Sequence, residues 1–328
     1  MNELLVGLVG AMLATNTPVA VSNLVHQHTG AAIPIVNPDD PVEQEFKKVM
    51  AADDDAEAEV DQWIQDNNAF AAKGAGESDA ALNKRIHARM APVRQGYEDF
   101  LARHTNHARA HLAYAGLLQD LQEEEAAVVH MEKSKELDPK NPAVWNNLAN
   151  HYGHFGEVKK AFEYYAKAIE LNPEETVYYQ NFGTTVYLFR KDAMEYYHIR
   201  EQDVFNKALE LYARAQKTEP NSFLLAADVA RTYYGIRPLR TNDALSAWTN
   251  AYSLARDDIE RQGVQVHFAR LKWLVGRTNE ARGHLEAITN QMYADLKERI
   301  TANLNSPPPD WSTAPSANKQ YEPAAVKP

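Results

Sequence analysis

Cysteine is absent from the 328 residues. Its absence excludes disulfides, thiolate nucleophiles, thiolate zinc sites and lipidation of a cysteine. It leaves the redox compartment open, because a chain without thiols suits either. Long apolar runs are missing too. Leu4 to Ala14 is an apolar run of eleven residues, whereas a helix that crosses a bilayer takes about 20, so no stable membrane span is expected. Positive charge is in deficit: 34 Lys and Arg stand against 45 Asp and Glu, for a formal net charge of −11. Such a chain is a poor general ligand for nucleic acid, whose phosphates call for clustered Lys and Arg. The motifs of common catalysts are also lacking. There is no G-x-S-x-G turn and no glycine-rich phosphate loop. The Asp53–Glu59 run has no central glycine of the kind a calcium loop needs and reads as a solvated charge run. His151 and His154, three apart near a helix end, read as solvent-facing rather than as a metal pair. Tyr196, Tyr197 and His198 read as packing or as a partner contact. The expectation is a chain that is not an enzyme and that takes no cofactor and no metal.

The acid that is present is concentrated. From Asp39 to Asp79 there are 13 acidic residues against Lys47, Lys48 and Lys73, so this stretch carries nearly all the excess negative charge. Residues 37–81 are read as an acidic helical capping region, in which Val60, Trp63, Ile64 and Phe70 supply an apolar side. An autoinhibitory segment and a loosely held one are the other readings. Residues 1–36 form an N-terminal segment with two readings. The short apolar run followed by small residues at Ala14 and Ala20 suits a cleaved export signal, and hence a periplasmic or secreted protein. The lack of Lys or Arg before the run, with Glu3 instead, suits a docking or flexible segment of a cytoplasmic one. Residues 305–328 begin near Ser306-Pro307-Pro308-Pro309, which stops the preceding helix. They are rich in Pro, Ala and Ser and are expected to be a disordered tail.

Between these ends the chain repeats. Residues 142–175 carry Trp145, Leu148, Ala149, Tyr152, Gly156, Ala161, Tyr165, Ala168 and Pro173. Trp145, Leu148, Ala149 and Tyr152 are related by steps of three and four, which predicts one face of a helix. Gly156 is suited to the left-handed turn that ends it. Ala161, Tyr165 and Ala168 form the facing stripe of a second helix, and Pro173 breaks that helix. One period of 34 residues earlier, Tyr114, Ala115, Leu118, Ala127, Met131 and Pro139 hold matching places in 108–141. A third unit, 176–222, starts with Tyr179, Phe182, Gly183 and Val186. Its second half, with Ala208, Tyr212, Ala215 and Pro220, is displaced by 13 residues, an insert at 189–201. A fourth, 223–261, and a fifth, 262–295, follow, and a worn half-repeat with Tyr97 and Phe100 precedes the first.

This pattern resembles the tetratricopeptide repeat, in which W-x2-L-G-x2-Y, A-x3-F and a late proline recur every 34 residues. Here Ala149 stands for the small glycine and Tyr165 for the phenylalanine. The resemblance covers residues 82–304. It implies an all-α fold, a right-handed superhelical solenoid of antiparallel helix pairs whose first helices line a concave groove. It further implies binding of a protein or peptide. The arrangement also resembles a bacterial exported group within that family. The expected function is a scaffold, the alternative a structural subunit of a bacterial envelope or secretion assembly.

The groove residues are those of each first helix that lie off its packing face. They are Asn146 and Asn150 in the second unit, then Gln180, Thr184 and Tyr187, then Arg231 and Tyr234, then Arg270 and Trp273. Amides can pair both polar groups of a peptide backbone, and arginine suits a carboxylate. The groove therefore predicts an extended partner with an acidic portion toward the C-terminal repeats. Exposed Asn, Thr and Arg that are merely solvated, with Arg231 paired to Asp228, are the plainer reading. Some members of the family clamp a C-terminal carboxylate through a Lys and an Asn of the first repeat. Leu112 and Gly116 stand at those places here, so that clamp is not inherited.

Overall fold

The computed structural model describes residues 40–71 and 75–307. The expected export segment, residues 1–36, and tail residues 308–328 lie outside the described residues. Among those described, every regular element is helical. The chain divides into two compact units, with the boundary between Pro173 and Glu174.

The N-terminal unit opens with a long hairpin, α1 (Pro41–Ala71) and α2 (Asp79–Arg103). Ser78 caps α2, its hydroxyl accepting from the Ala81 amide. The two helices run antiparallel, since contacts pair Phe46 with Phe100, Asp53 with Tyr97, Glu59 with Arg89 and Trp63 with Arg85. The start and the middle of α1 are fastened by charge. Glu43 pairs with Arg109 (2.8 Å), Glu45 with Arg103 and His104, and Glu59 with Arg89 (2.6 Å). The apolar contact falls on Phe46 and Ala56, which are fully buried, whereas Phe70 is 54% exposed. The stripe from Val60 to Phe70 is thus the lesser part of the seam, because α1 starts at Pro41 and its first half already covers Tyr97 and Phe100.

Two helix pairs follow: α3 (Ala108–Asp120) with α4 (Glu124–Leu137), and α5 (Pro142–His154) with α6 (Val158–Leu171). Small residues set the spacing of each pair. Ala115 and Ala127 in the first pair, and Ala149, Ala161 and Ala168 in the second, are completely buried. Tyr165 and Leu148 fill the space around them and are equally enclosed. Asn141 caps α5, with Pro142 in the first turn where a missing amide is tolerated. Gly156 then takes φ +94°, the left-handed conformation that ends the helix. In the first pair Gln122, 34 residues earlier, holds the same conformation with φ 62°.

The C-terminal unit contains α7 (Thr176–Leu188), α8 (Arg190–Tyr197), α9 (Glu201–Thr218), α10 (Phe223–Thr232), α11 (Thr241–Leu254), α12 (Asp258–Leu274), α13 (Thr278–Glu286) and α14 (Ala294–Asn303). The insert is α8, ended by His198 in a left-handed conformation (φ 54°). It leaves the pairing of α7 with α9 intact, and a Cβ on Gly183 would lie 3.0 Å from the Tyr212 ring. Helix α12 begins four residues before Gln262 because Asp257 caps it, accepting from the Glu260 amide at 2.8 Å. One core joins α10, α11 and α12 around Trp248. A second joins α12, α13 and α14 through Val266, Ala269, Leu285 and Ile300.

Candidate functional site

In the N-terminal unit the two candidate asparagines have different fates. Asn146 is completely buried, and its amide donates to Asn147 Oδ1 at 3.3 Å. This corrects the expectation that it faces a groove. Helix α5 is packed by α4 on one side and α6 on the other, so its open strip is narrower than the sequence periodicity suggests. Asn150 is half-buried and accepts from the Tyr165 hydroxyl at 2.6 Å. Trp145 also departs from its expected place. It is only half-buried, donating to the Pro139 carbonyl (2.9 Å) and standing edge-on to Tyr164. His151 stacks on Phe155 and lies 3.4 Å from Glu124, with no contact to His154. Among the described residues no group of three or more His, Asp or Glu side chains is placed to hold a metal ion.

In the C-terminal unit the candidates come together. Gln180 on α7 donates to Asp228 on α10 at 2.8 Å. The other oxygen of Asp228 accepts from the Arg231 guanidinium. Tyr187, two turns beyond Gln180, reaches the Arg231 carbonyl with its hydroxyl at 3.5 Å. Thr184 meets the hydroxyl of Tyr212, which rises from α9 beneath it, at 2.9 Å. Tyr234 sits in the short 3-10 turn after α10, and its hydroxyl lies 3.2 Å from His267 Nδ1 and 3.3 Å from the His267 carbonyl. The Arg270 guanidinium lies over the Tyr234 ring, 4.6 Å from its centre. Trp273 is committed elsewhere. Its ring packs on both cores and its indole N–H reaches the Ser306 carbonyl at 3.3 Å, so it buttresses the segment that follows α14.

The turn that presents Tyr234 is fixed by close approach. A Cβ on Gly235 would stand 2.2 Å from the Phe205 ring, so only glycine allows this contact. The surroundings of the cluster are half-buried and positive. Burial, and then the charges of Arg231 and Arg270, push the His267 imidazole down to about 3, so the ring is neutral as it stacks on Trp248 at 3.8 Å. Burial disfavours the Arg231 charge, but Asp228 outweighs this by charge and hydrogen bond, and the guanidinium pKa rises above its ordinary value. Burial, first of all, raises the Tyr234 and Tyr212 phenols, which therefore remain protonated donors. Arg231 and Arg270 are nonetheless exposed at the surface. Two guanidiniums against the one Asp228 carboxylate leave one positive charge on this face.

The arrangement can do what amides, phenols and guanidiniums do: donate hydrogen bonds to carbonyls and carboxylates, and offer flat rings to apolar groups. The sequence did not single out His267, Tyr212 or Gly235 for this region. His267 had a marker in its spacing, three residues before Arg270 on one helix face. Gly235 had none, because the ring it meets is 30 positions earlier in the chain.

Comparison with protein families identifies residues 108–141 and residues 142–175 each as a tetratricopeptide repeat. Among solved structures, PilW, described as a widely conserved type IV pilus biogenesis factor, matches with a TM-score of 0.55 at 14% identity, over 68% of this chain and 95% of that one. The pilF protein of Pseudomonas aeruginosa matches with a TM-score of 0.51 at 15% identity, over 76% of this chain and 99% of that one. At such identities the likeness is one of fold. Comparison with curated proteins gives no significant match.

Proposed function

We propose that this chain, a tetratricopeptide-repeat protein, is a non-catalytic scaffold that holds a polypeptide partner on the first-helix face of its C-terminal unit. The observation that carries the reading is the convergence of Gln180, Tyr187, Arg231, Tyr234 and Arg270. Gln180 and Tyr187 on α7 meet Arg231 on α10 through Asp228 and the Arg231 carbonyl, Arg270 on α12 lies over Tyr234 in the turn after α10, and the charges of both arginines bear on His267. Solvated surface side chains need no such network, since an isolated exposed ion pair contributes only about 0–1 kcal/mol. Tyrosine and arginine are also the residues that concentrate binding energy at interfaces, where a ring supplies area and a polar tip supplies direction.

Site-specific photo-crosslinking in the native cell tests this. A photoreactive residue at position 184 reports on the first-helix face, and one at position 210, exposed on α9, reports on the second helix. Discrete adducts at 184 and none at 210 are expected. Adducts of equal yield at both positions would overturn the assignment of the face.

A further inference from the structure

We propose that Arg270, Tyr234 and Arg231 form a subsite for a single acidic side chain within an extended polypeptide. This rests on the reading above and gives its partner a chemistry.

Arg270 is the starting point. It is exposed, and among the described residues no carboxylate pairs with it. A guanidinium carries five N–H donors around its edge and an apolar face. Stacking over Tyr234 at 4.6 Å occupies the face and leaves the edge free to donate. The platform beneath is rigid. Tyr234 is tied by its hydroxyl to His267 and by the Gly235–Phe205 contact to α9. Arg231 differs, because Asp228 already holds it, yet its side chain keeps 47% of its surface in solvent. It therefore adds positive potential and a second exposed guanidinium. Asp228 carries a single negative charge and is paired with Arg231, so it cannot neutralise both arginines. The neutral His267 between them adds no charge of its own.

The ligand is a side-chain carboxylate and not a chain terminus. Polar groups continue on the α7 side of the cluster, with Gln180, Thr184 and Tyr187, and past Arg270 the helices go on through α12, α13 and α14. A polypeptide lying across these successive helices extends beyond the guanidinium on both sides, and only a side chain then reaches its edge.

The test uses the full chain and short extended peptides of one sequence. Each has a central Glu, Gln or Lys beside a Phe and an amidated C-terminus, and one further peptide has the central Gln and a free C-terminal carboxylate. Fluorescence anisotropy reads the affinity. The Glu peptide is expected to bind about tenfold more tightly than the Gln peptide, as a charge-assisted bidentate bond requires, with Lys weakest. The Glu advantage shrinks as salt is raised. Arg270→Gln removes the discrimination between Glu and Gln, while Arg214→Gln, exposed on α9, preserves it. Equal binding of Glu and Gln, discrimination that survives Arg270→Gln, preference for the free C-terminus, or no binding of any peptide would each overturn the subsite. The scaffold reading is separable. If Glu and Gln bind equally and Tyr234→Ala, folded by circular dichroism, weakens both, the face stands and the carboxylate subsite falls.

Discussion

Replacing Asp53 with Asn should stabilise the protein at alkaline pH and not in acid. Asp53 lies on the buried side of α1, in line with Phe46 and Ala56, and is only 5% exposed. One carboxylate oxygen accepts from the Tyr97 hydroxyl at 2.5 Å, and the other is buried without a partner. Among the described residues no cation pairs with it. Its charged neighbours are Asp54 and Glu57 on α1 and Asp120 on α3. Burial raises its pKa from 3.8 to about 6, opposed by the Tyr97 hydrogen bond and assisted by Asp54. Burial and then Asp53 itself drive Glu57 higher, to about 9. Asp120 moves in the same direction, but it lies open to solvent, and its share is correspondingly screened.

The sign follows from linkage. A carboxylate whose folded pKa lies above its unfolded value binds its proton more tightly in the folded state. Its contribution is fully present below the unfolded value and is lost as pH rises through the folded value. For Asp53 the window is therefore between 3.8 and about 6. A shift of about two units at 1.36 kcal/mol each is on the order of 3 kcal/mol lost by pH 8. Asparagine keeps an acceptor for Tyr97 but brings amide protons into a site with few acceptors, which costs about 1 kcal/mol or more. The net gain expected for Asp53→Asn is about 1–2 kcal/mol at pH 8, falling to nothing or below at pH 4.5. Urea unfolding at several pH values, with the variant and the parent compared at each, measures it. A variant destabilised to the same extent at pH 8 as at pH 4.5 would refute the argument that an uncompensated charge sits in this seam.

Gln122→Gly should raise stability by about 0.5–1 kcal/mol, since a side chain in the left-handed region costs about 1–2 kcal/mol and glycine's extra unfolded-state freedom returns part of that; urea unfolding checks it, and no gain would mean that Gln122 has a compensating contact. His111 Nε2 lies 3.0 Å from the Thr105 carbonyl, which can only accept, so His111 Nδ1 accepts from His130 Nδ1–H at 2.8 Å, and nitrogen NMR should report these opposite tautomers. Burial and then the charge of His111 lower the His130 pKa, with Glu98 opposing, so this bridge stabilises fully above 6.5 and weakens as pH falls; acidification to about pH 5 should cost the parent more stability than His130→Leu, whose ring contact with Tyr114 is also lost at every pH. Asp228→Asn keeps an acceptor for Gln180 but frees Arg231, and should tighten binding of the central-Glu peptide about two- to fivefold at low salt, an effect that salt removes; weaker binding would show that Asp228 serves to orient Arg231.

What the sequence made legible follows from where each constraint originates. Residues 108–175 are readable because their packing is local. Ala149 and Ala161 are small since two helices touch there, Gly156 takes a positive φ, and the next repeat imposes the same demands 34 residues away. The arginines and tyrosines of the C-terminal face are readable for a related reason. They lie off the apolar stripe of helices whose stripe is clear. Other features are set by contacts between distant positions. Asn146 is enclosed because α4 and α6 narrow the open strip of α5, and a residue's own helix cannot report how wide its neighbours are. The seam of α1 defeats periodicity for another reason: Asp53 and Glu57 stand where apolar residues would be expected. A charge run that reads as solvated is therefore partly buried. Tyr234 is aimed by Gly235 lying against Phe205, and a glycine discloses a turn but not the ring that requires it. The divide is physical. Spacing within a helix encodes which faces are apolar, whereas the direction of a polar side chain depends on partners brought near only by folding. For that reason the stack of Arg270 over Tyr234 and the ion pair that holds Arg231 could be read only from the structure.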